Sequence, residues 1–325
     1  MPDARYVREF DAYTPLAANA TSVGEVWQLA DGQAGYQVEA AAKSASDYPK
    51  FKSSGIAVFT KSTGVAILDG GRVYWDHSAN AATFRAVNDR DFYIGRAVGD
   101  ATTTDAFLYV NTNIGEFDGY AIDLLRDGAL SVPVGTQAVG AFGYPKPFGG
   151  ALGIELTATN EAQKIDLLSV DRRAVASNPI AEFIVRIAAN GSTNAVDLSV
   201  GLANDTHASD ADSITESVFF HIDGGSTAIN AESDDGTTEV AATDTTTTFT
   251  AGSAVANRKE LWIDARDPAS VKLYVDGVRV LTGTTFVLSA ATGPLGLLVH
   301  LEKTSSTATA GPVYLDRALM RTSEQ

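Results

Sequence analysis

The sequence predicts an all-β protein built from two domains, and three observations predict it. Short runs rich in β-branched and aromatic residues recur along the whole chain, separated by Gly, Asn, Asp and Ser. Helical periodicity is nearly absent, the exception being a turn or two around Tyr120 to Arg126. The chain has 325 residues, 45% of them hydrophobic, which is more apolar matter than one ordinary core needs.

In the first half, VGEVWQLA, YQVEAAA, GIAVFTK, GVAILDG, RVYWD, ATFRAV, FYIGRAV and AFLYVNT read as strands. In the second half, GIELTAT, KIDLLSV, AEFIVRIA, VDLSVGLA, SVFFHID, TTFTA, KELWIDA, VKLYV, VRVLTG, GLLVHLE and VYLDRALM read the same way. Val196, Leu198, Val200 and Leu202 alternate with Asp197, Ser199 and Gly201, the pattern of a half-buried antiparallel strand. From Val271 to Leu281 two β-rich runs flank Asp276-Gly277. A two-residue Asp-Gly loop takes positive φ at both positions and closes a type I′ hairpin.

Pro133, Pro145 and Pro147 fall among five glycines between residues 131 and 150, and a domain junction is expected near 140 to 150. The resulting division is an extended arm over 1–15, a first β domain over 16–140, a Pro/Gly linker over 141–150 and a second β domain over 151–325. NDTHASDADSITE and DGGSTAINAESDDGTTEVAATDTTTT are polar and nearly free of large apolar residues, so they are expected to be surface loops outside the core.

The chain carries 24 Lys and Arg against 40 Asp and Glu, a net charge of -16. Such a surface repels phosphate backbones and anionic lipid, so neither nucleic acid nor a membrane is expected as a partner. No apolar stretch approaches the ~20 residues that span a bilayer, and the first residues have no apolar core of a secretory signal. Cysteine is absent, which excludes disulfides and thiolate metal sites. The Asn-X-Ser/Thr triplets at Asn19, Asn190 and Asn204 are read as chance matches. Between Arg186 and Arg258 lie eleven acidic residues and no Lys or Arg.

Nucleophile-elbow, phosphate-loop, dinucleotide and HExxH motifs are all missing. The four histidines, His77, His207, His221 and His300, are far apart in sequence, and the last two sit inside strand runs, where a sheet-face role is expected. The only metal candidates are the acidic loops, where Asp205, Asp210 and Asp212, and then Asp234 and Asp235 beside Glu239, are close enough to offer oxygens to calcium. The spacing fits no calcium motif, and a solvated acidic rim is the simpler reading. Glu182 and Asp264 lie in strands where glycoside-cleaving carboxylates sit, but neither has a partner in sequence, so no catalytic residue and no cofactor beyond calcium is expected.

From Leu16 to about Asn113 the chain resembles the capsid-decoration (cement) proteins of tailed bacteriophages. The likeness is carried by GIAVFTKSTGVAILDGGRVYWDHSANAATF and DFYIGRAVGDATTTDAFLYVNTN, with Tyr74, Trp75, Asp76, Ile94, Gly95, Ala97 and the AFLYV run in place. Thr60-Lys61 lacks the proline that often follows this strand in the family. From about Leu152 to Thr322 the chain resembles concanavalin-like (laminin-G-like) β-sandwich domains, through VKLYVDGVRV, RKELWIDARDP and VYLDRALM, the last of which returns beside the first strand.

These resemblances imply a small β-barrel or β-tulip followed by an antiparallel jelly-roll β-sandwich. They imply a non-enzymatic virion protein, made in the host bacterial cytoplasm. It would bind the major capsid protein on the outer head surface as a homotrimer, with the N-terminal arm adding a strand to a neighbour. The alternative is a carbohydrate-binding module, assisted by calcium, that holds a particle to host glycans; a glycan-degrading enzyme ranks behind both.

Overall fold

A computed structural model describes residues 12–13, 22, 24–29, 31–38, 41–115, 121–127, 129–134, 146–148, 151–188, 196–207, 210–304, 308 and 311–322. The chain divides into two compact units, Met1–Asp118 and Gly119–Gln325. Both are built from antiparallel strands, so the protein is all-β.

Among the described residues the first unit has nine strands: β1 (Ala12–Tyr13), β2 (Val26–Gln28), β3 (Ala34–Gln37), β4 (Phe51–Lys52), β5 (Gly55–Thr60), β6 (Arg72–Asp76), β7 (Ala81–Thr83), β8 (Phe92–Ala97) and β9 (Phe107–Thr112). One sheet runs β1-β4-β3-β2 and the other β5-β9-β8-β6-β7. In the second sheet Lys61, just past β5, bridges Ala82 of β7, so the sheet curls back on itself as a small barrel. Inside it Phe59, Val73, Trp75, Ile94, Leu108 and Val110 are buried. The Ile94-Gly95 step has a steric cause: Gly95 holds φ at +145°, and a Cβ there would stand 2.1 Å from the Asn111 carbonyl oxygen. The Asn113 side chain accepts from the Ala34 amide and donates to the Ala34 carbonyl, both at 2.8 Å, tying the two sheets together.

Among its described residues the second unit has fifteen strands. They are β10 (Ile122–Asp123), β11 (Ala129–Val134), β12 (Lys146–Phe148), β13 (Ala151–Ile154), β14 (Gln163–Ser169), β15 (Pro179–Ile187), β16 (Asp197–Ala203) and β17 (Ser217–Ile222). After them come β18 (Ala228–Asp234), β19 (Glu239–Thr248), β20 (Lys259–Asp264), β21 (Lys272–Val275), β22 (Val278–Val280), β23 (Gly296–Lys303) and β24 (Val313–Thr322). One sheet runs β12-β13-β24-β15-β20-β21-β22 with β10 beside β24; the other runs β11-β14-β23-β16-β17-β18-β19. Their inward faces share one core, with Leu167, Phe183, Val200, Phe220, Ile263, Val299 and Leu315 all buried. Each such side chain stabilises the fold by roughly 1.5–3 kcal/mol. The two-sheet sandwich agrees with expectation in two particulars. The last strand, β24, lies between β13 and β15. Asp276 and Gly277 both have positive φ (50° and 76°) in a two-residue loop between β21 and β22.

Four expectations change. The junction falls at Asp118/Gly119, not at 140 to 150, because β10 and β11 pair into the sandwich sheets. Pro133 is accommodated since β11 is an edge strand, where a missing N–H costs no ladder bond. The stretch from Asp223 to Thr248 is a hairpin, β18–β19, and not a core-free loop; Ile229 and Ala231 reach the core, and the threonines are good strand formers. GVAILDG forms a single bridge at Ile67 instead of a strand. Of the arm, Ala12 and Tyr13 pair with β4 of their own chain, while 1–11 and 14–15 lie outside the described residues.

Candidate functional site

The outward face of the seven-stranded sheet carries a row of polar side chains. Cross-strand registers align Asp166 with His300, His300 with Ser199, Ser199 with His221, His221 with Asn230 and Asn230 with Asp244. One row thus crosses β14, β23, β16, β17, β18 and β19. A parallel row two residues along is Leu168, Leu298, Gly201, Phe219 and Glu232. Against its apolar members the 204–216 segment lays Ala211 and Ile214, which are buried with Leu168, Ala203, Phe219 and Leu298. This corrects the expectation that the segment has no part in a core: one alanine and one isoleucine in an acidic stretch suffice to dock it.

That segment is fastened at several points. Lys164 Nζ donates to the His207 carbonyl and Arg172 to that of Asn204. Glu216 accepts from the amides of Thr292 and Gly293 at 2.9 and 2.8 Å. In the same row Gly201 lets β16 lie close against β17: a Cβ there would meet the Val218 carbonyl oxygen at 2.0 Å.

The two ends of the polar row differ. At the closed end His300, 1% exposed, holds Asp166 through Nδ1 at 2.6 Å and Glu302 through Nε2 at 3.0 Å, and Lys164 Nζ lies 2.6 Å from the other Asp166 oxygen. Burial opposes charge on this imidazole, yet the two carboxylates outweigh it and raise its pKa. It pins Asp166 and Glu302 together inside an ion cluster.

At the open end His221 Nε2 lies 3.0 Å from Asp223 Oδ1, and Asn230 Nδ2 donates to the other Asp223 oxygen at 3.0 Å. His221 Nδ1 is 3.0 Å from Ser199 Oγ, 3.5 Å from Glu232 Oε1 and 3.6 Å from Asp212 Oδ1. Asp212 and Asp223 side chains are 48% and 61% exposed, so solvent reaches the cluster from this side. Burial lowers the His221 pKa, but Glu232, Asp212 and Asp223 overcome it and hold the group up to about 9. Burial, and then the Glu232 carboxylate beside it, push Asp212 up to about 6.

Of the sequence-predicted calcium ligands, only Asp212 enters a cluster of three liganding side chains among the described residues. Asp205 accepts from the Thr206 amide, Asp210 from the Asp212 amide and Asp234 from the Gly236 amide, each an ordinary turn bond. Asp235 is buried and accepts from the amides of Thr237, Thr238 and Ala290. Those bonds outweigh its burial and lower its pKa. Glu182 and Asp264 lie on the other sheet, tied to Arg317 and Arg321 and to Arg266. Glu232 and Ser199 were not singled out in the sequence. Their only signal was outward alternation on a strand, and nothing in the sequence says which strands are neighbours.

No family model and no curated protein matches this chain. Solved structures similar to it include the Emp47p carbohydrate recognition domain, at 10% identity and a TM-score of 0.44, covering 63% of this chain and 96% of that one. A structure from work on endo-acting O-glycanases of prominent human gut microbiota is similar at 11% identity and a TM-score of 0.42, covering 57% and 85%. The laminarinase from Rhodothermus marinus is similar at 10% and 0.39, covering 55% and 80%.

Proposed function

We propose that the second unit is a carbohydrate-binding sandwich whose binding edge is the open end of the polar row. The observation that carries this reading is the register-aligned row itself, carboxylates, imidazoles, a hydroxyl and an amide side by side, which at its open end meets the exposed Asp212 and Asp223 beside the half-buried Asn230. Sugars present vicinal hydroxyls that donate and accept at once, and paired carboxylate and amide groups on a rigid sheet answer both needs. The role proposed for the site is binding. Glycan-array binding by the whole chain tests this: the reading expects defined hits that Asn230→Ala and Asp223→Ala abolish. A blank array, or release of reducing sugar, would refute it.

A second reading, decoration of a phage head by the first unit, is favoured by a different observation. Ile56, Val58, Phe107 and Tyr109 are 54–63% exposed on one face of β5 and β9, with Val98 beside them. Contiguous exposed apolar surface of this kind marks a protein contact. The unit would dock there on the major capsid protein, as a trimer at the outer virion surface, leaving the sandwich to meet glycans. Sedimentation with heads stripped of decoration, compared between wild type and Val58→Lys/Tyr109→Lys, tests it; equal occupancy would remove this reading.

A further inference from the structure

Glu232 Oε1 is buried in a residue only 7% exposed and accepts no hydrogen bond, and it faces His221 Nδ1 and Asp212. A carboxylate oxygen left this way costs about 1–3 kcal/mol or more unless something satisfies it. The liganding atoms of Asp212, His221 and Glu232 all lie within 4.8 Å of one another.

Their spacing is informative. At 3.5 and 3.6 Å, the two carboxylate oxygens are too far from Nδ1 for hydrogen bonds. A tetrahedral ion with ligands at about 2.1 Å holds its ligand atoms about 3.4 Å apart, close to the 3.5 and 3.6 Å from Nδ1 to the two carboxylate oxygens. The other ring nitrogen is spoken for by Asp223, itself held by Asn230. A carboxylate on Nε2–H fixes the imidazole with Nδ1 turned toward Asp212 and Glu232, so that this nitrogen, on giving up its proton, meets the metal, the outer-shell arrangement of histidine metal ligands. Ser199 Oγ adds a neutral oxygen next to the same nitrogen.

We propose that Asp212, His221 and Glu232 bind a divalent transition-metal ion of the zinc class at the rim of the outer sheet face. An imidazole nitrogen among two carboxylates selects such an ion over calcium, which takes six to eight oxygens. Three protein ligands leave coordination positions open for water or for hydroxyl groups. Fold supports the geometry as well. His221 and Glu232 are diagonal neighbours on β17 and β18, Asp212 comes from the docked segment, and a register shift beside Glu232 re-aims that strand. The site stands independently of the glycan reading and would deepen it, since open positions would lie where a diol arrives.

The test uses the whole chain, stripped with a chelator, dialysed and titrated with zinc chloride in the absence of any glycan. The expected result is one zinc per chain, a calcium chloride excess that does not displace it, and a loss of affinity of about 100-fold or more in Glu232→Gln and His221→Ala. Asp223→Asn, which meets the ring at its far nitrogen and not at Nδ1, should cost about 10–100-fold. Asp212→Asn, on a half-exposed side chain, keeps the test decisive if a buried variant fails to fold. No stoichiometric zinc, zinc retained in both Asp212→Asn and Glu232→Gln, or displacement by calcium would each overturn the proposal. Because sugar plays no part, that failure would leave the glycan reading untouched.

Discussion

Removing the charge on His221 offers the most direct check of the open end of the polar row. Its folded-state pKa of about 9 exceeds the ordinary value of 6.5, so the folded protein holds this proton more tightly than the unfolded chain does. The stability this contributes is therefore complete below about pH 6.5 and is lost as pH rises through about 9. With a side chain only 10% exposed, solvent screening is slight, and a shift of this size corresponds to about 3 kcal/mol at pH 6, about 1.4 at pH 8 and less than about 0.5 at pH 9. Urea titrations at each pH, with chelator present and tryptophan emission as readout, measure it; Trp262 of β20 reports the sandwich, whereas Trp27 and Trp75 report the first unit. Wild type should lose stability steeply between pH 7 and 9, and His221→Gln should show a clearly shallower slope, the remainder belonging to His300, whose pKa is also raised. A wild-type curve flat across this window, or an equal slope in the variant, would refute the assignment of His221 as the counter-cation of Asp212, Asp223 and Glu232.

Three further outcomes follow from the packing. Gly201→Ala drives a Cβ into the Val218 carbonyl, a backbone obstacle that cannot swing aside, and should cost about 3 kcal/mol in urea unfolding while loosening the 204–216 segment in hydrogen exchange. Asp235→Ala leaves three amides without their acceptor and should cost about 3 kcal/mol whether or not calcium is present; because the Asp235 carboxyl is held below its ordinary 3.8, the contribution is present above that pH and lost as pH falls beneath it. Asp316 accepts two bonds from Arg186 at 2.8 and 2.9 Å and one from Arg258 at 2.9 Å, so Asp316→Ala strands a buried guanidinium and should cost about 3–5 kcal/mol, measured as a fall in urea midpoint.

The β18–β19 hairpin shows how far local reading carries. Its threonines and acidic residues resemble a solvated loop when judged by hydropathy, because strand formation there rests on Ile229 and Ala231 reaching the core, on Val240 packing against it and on pairing to β17. The Pro/Gly-rich stretch misled in the other direction: Pro133 argues against a central strand but permits an edge, and which strand lies at an edge is a property of the whole sheet. Acidic spacing likewise pointed to Asp205, Asp210, Asp234 and Asp235, each of which is occupied with nearby amides, while Asp212 alone reaches liganding partners.

By itself the sequence determined what depends on neighbours along the chain: the strand-forming composition, the Asp276-Gly277 turn with its two positive φ angles, the acidic surface and the absence of thiol chemistry. Tertiary structure alone decided the site. Asp166, Ser199, His221, Asn230 and His300 share a row only because five strands settle in one register, and a slip of a single residue in any of them would turn its member of the row to the opposite face.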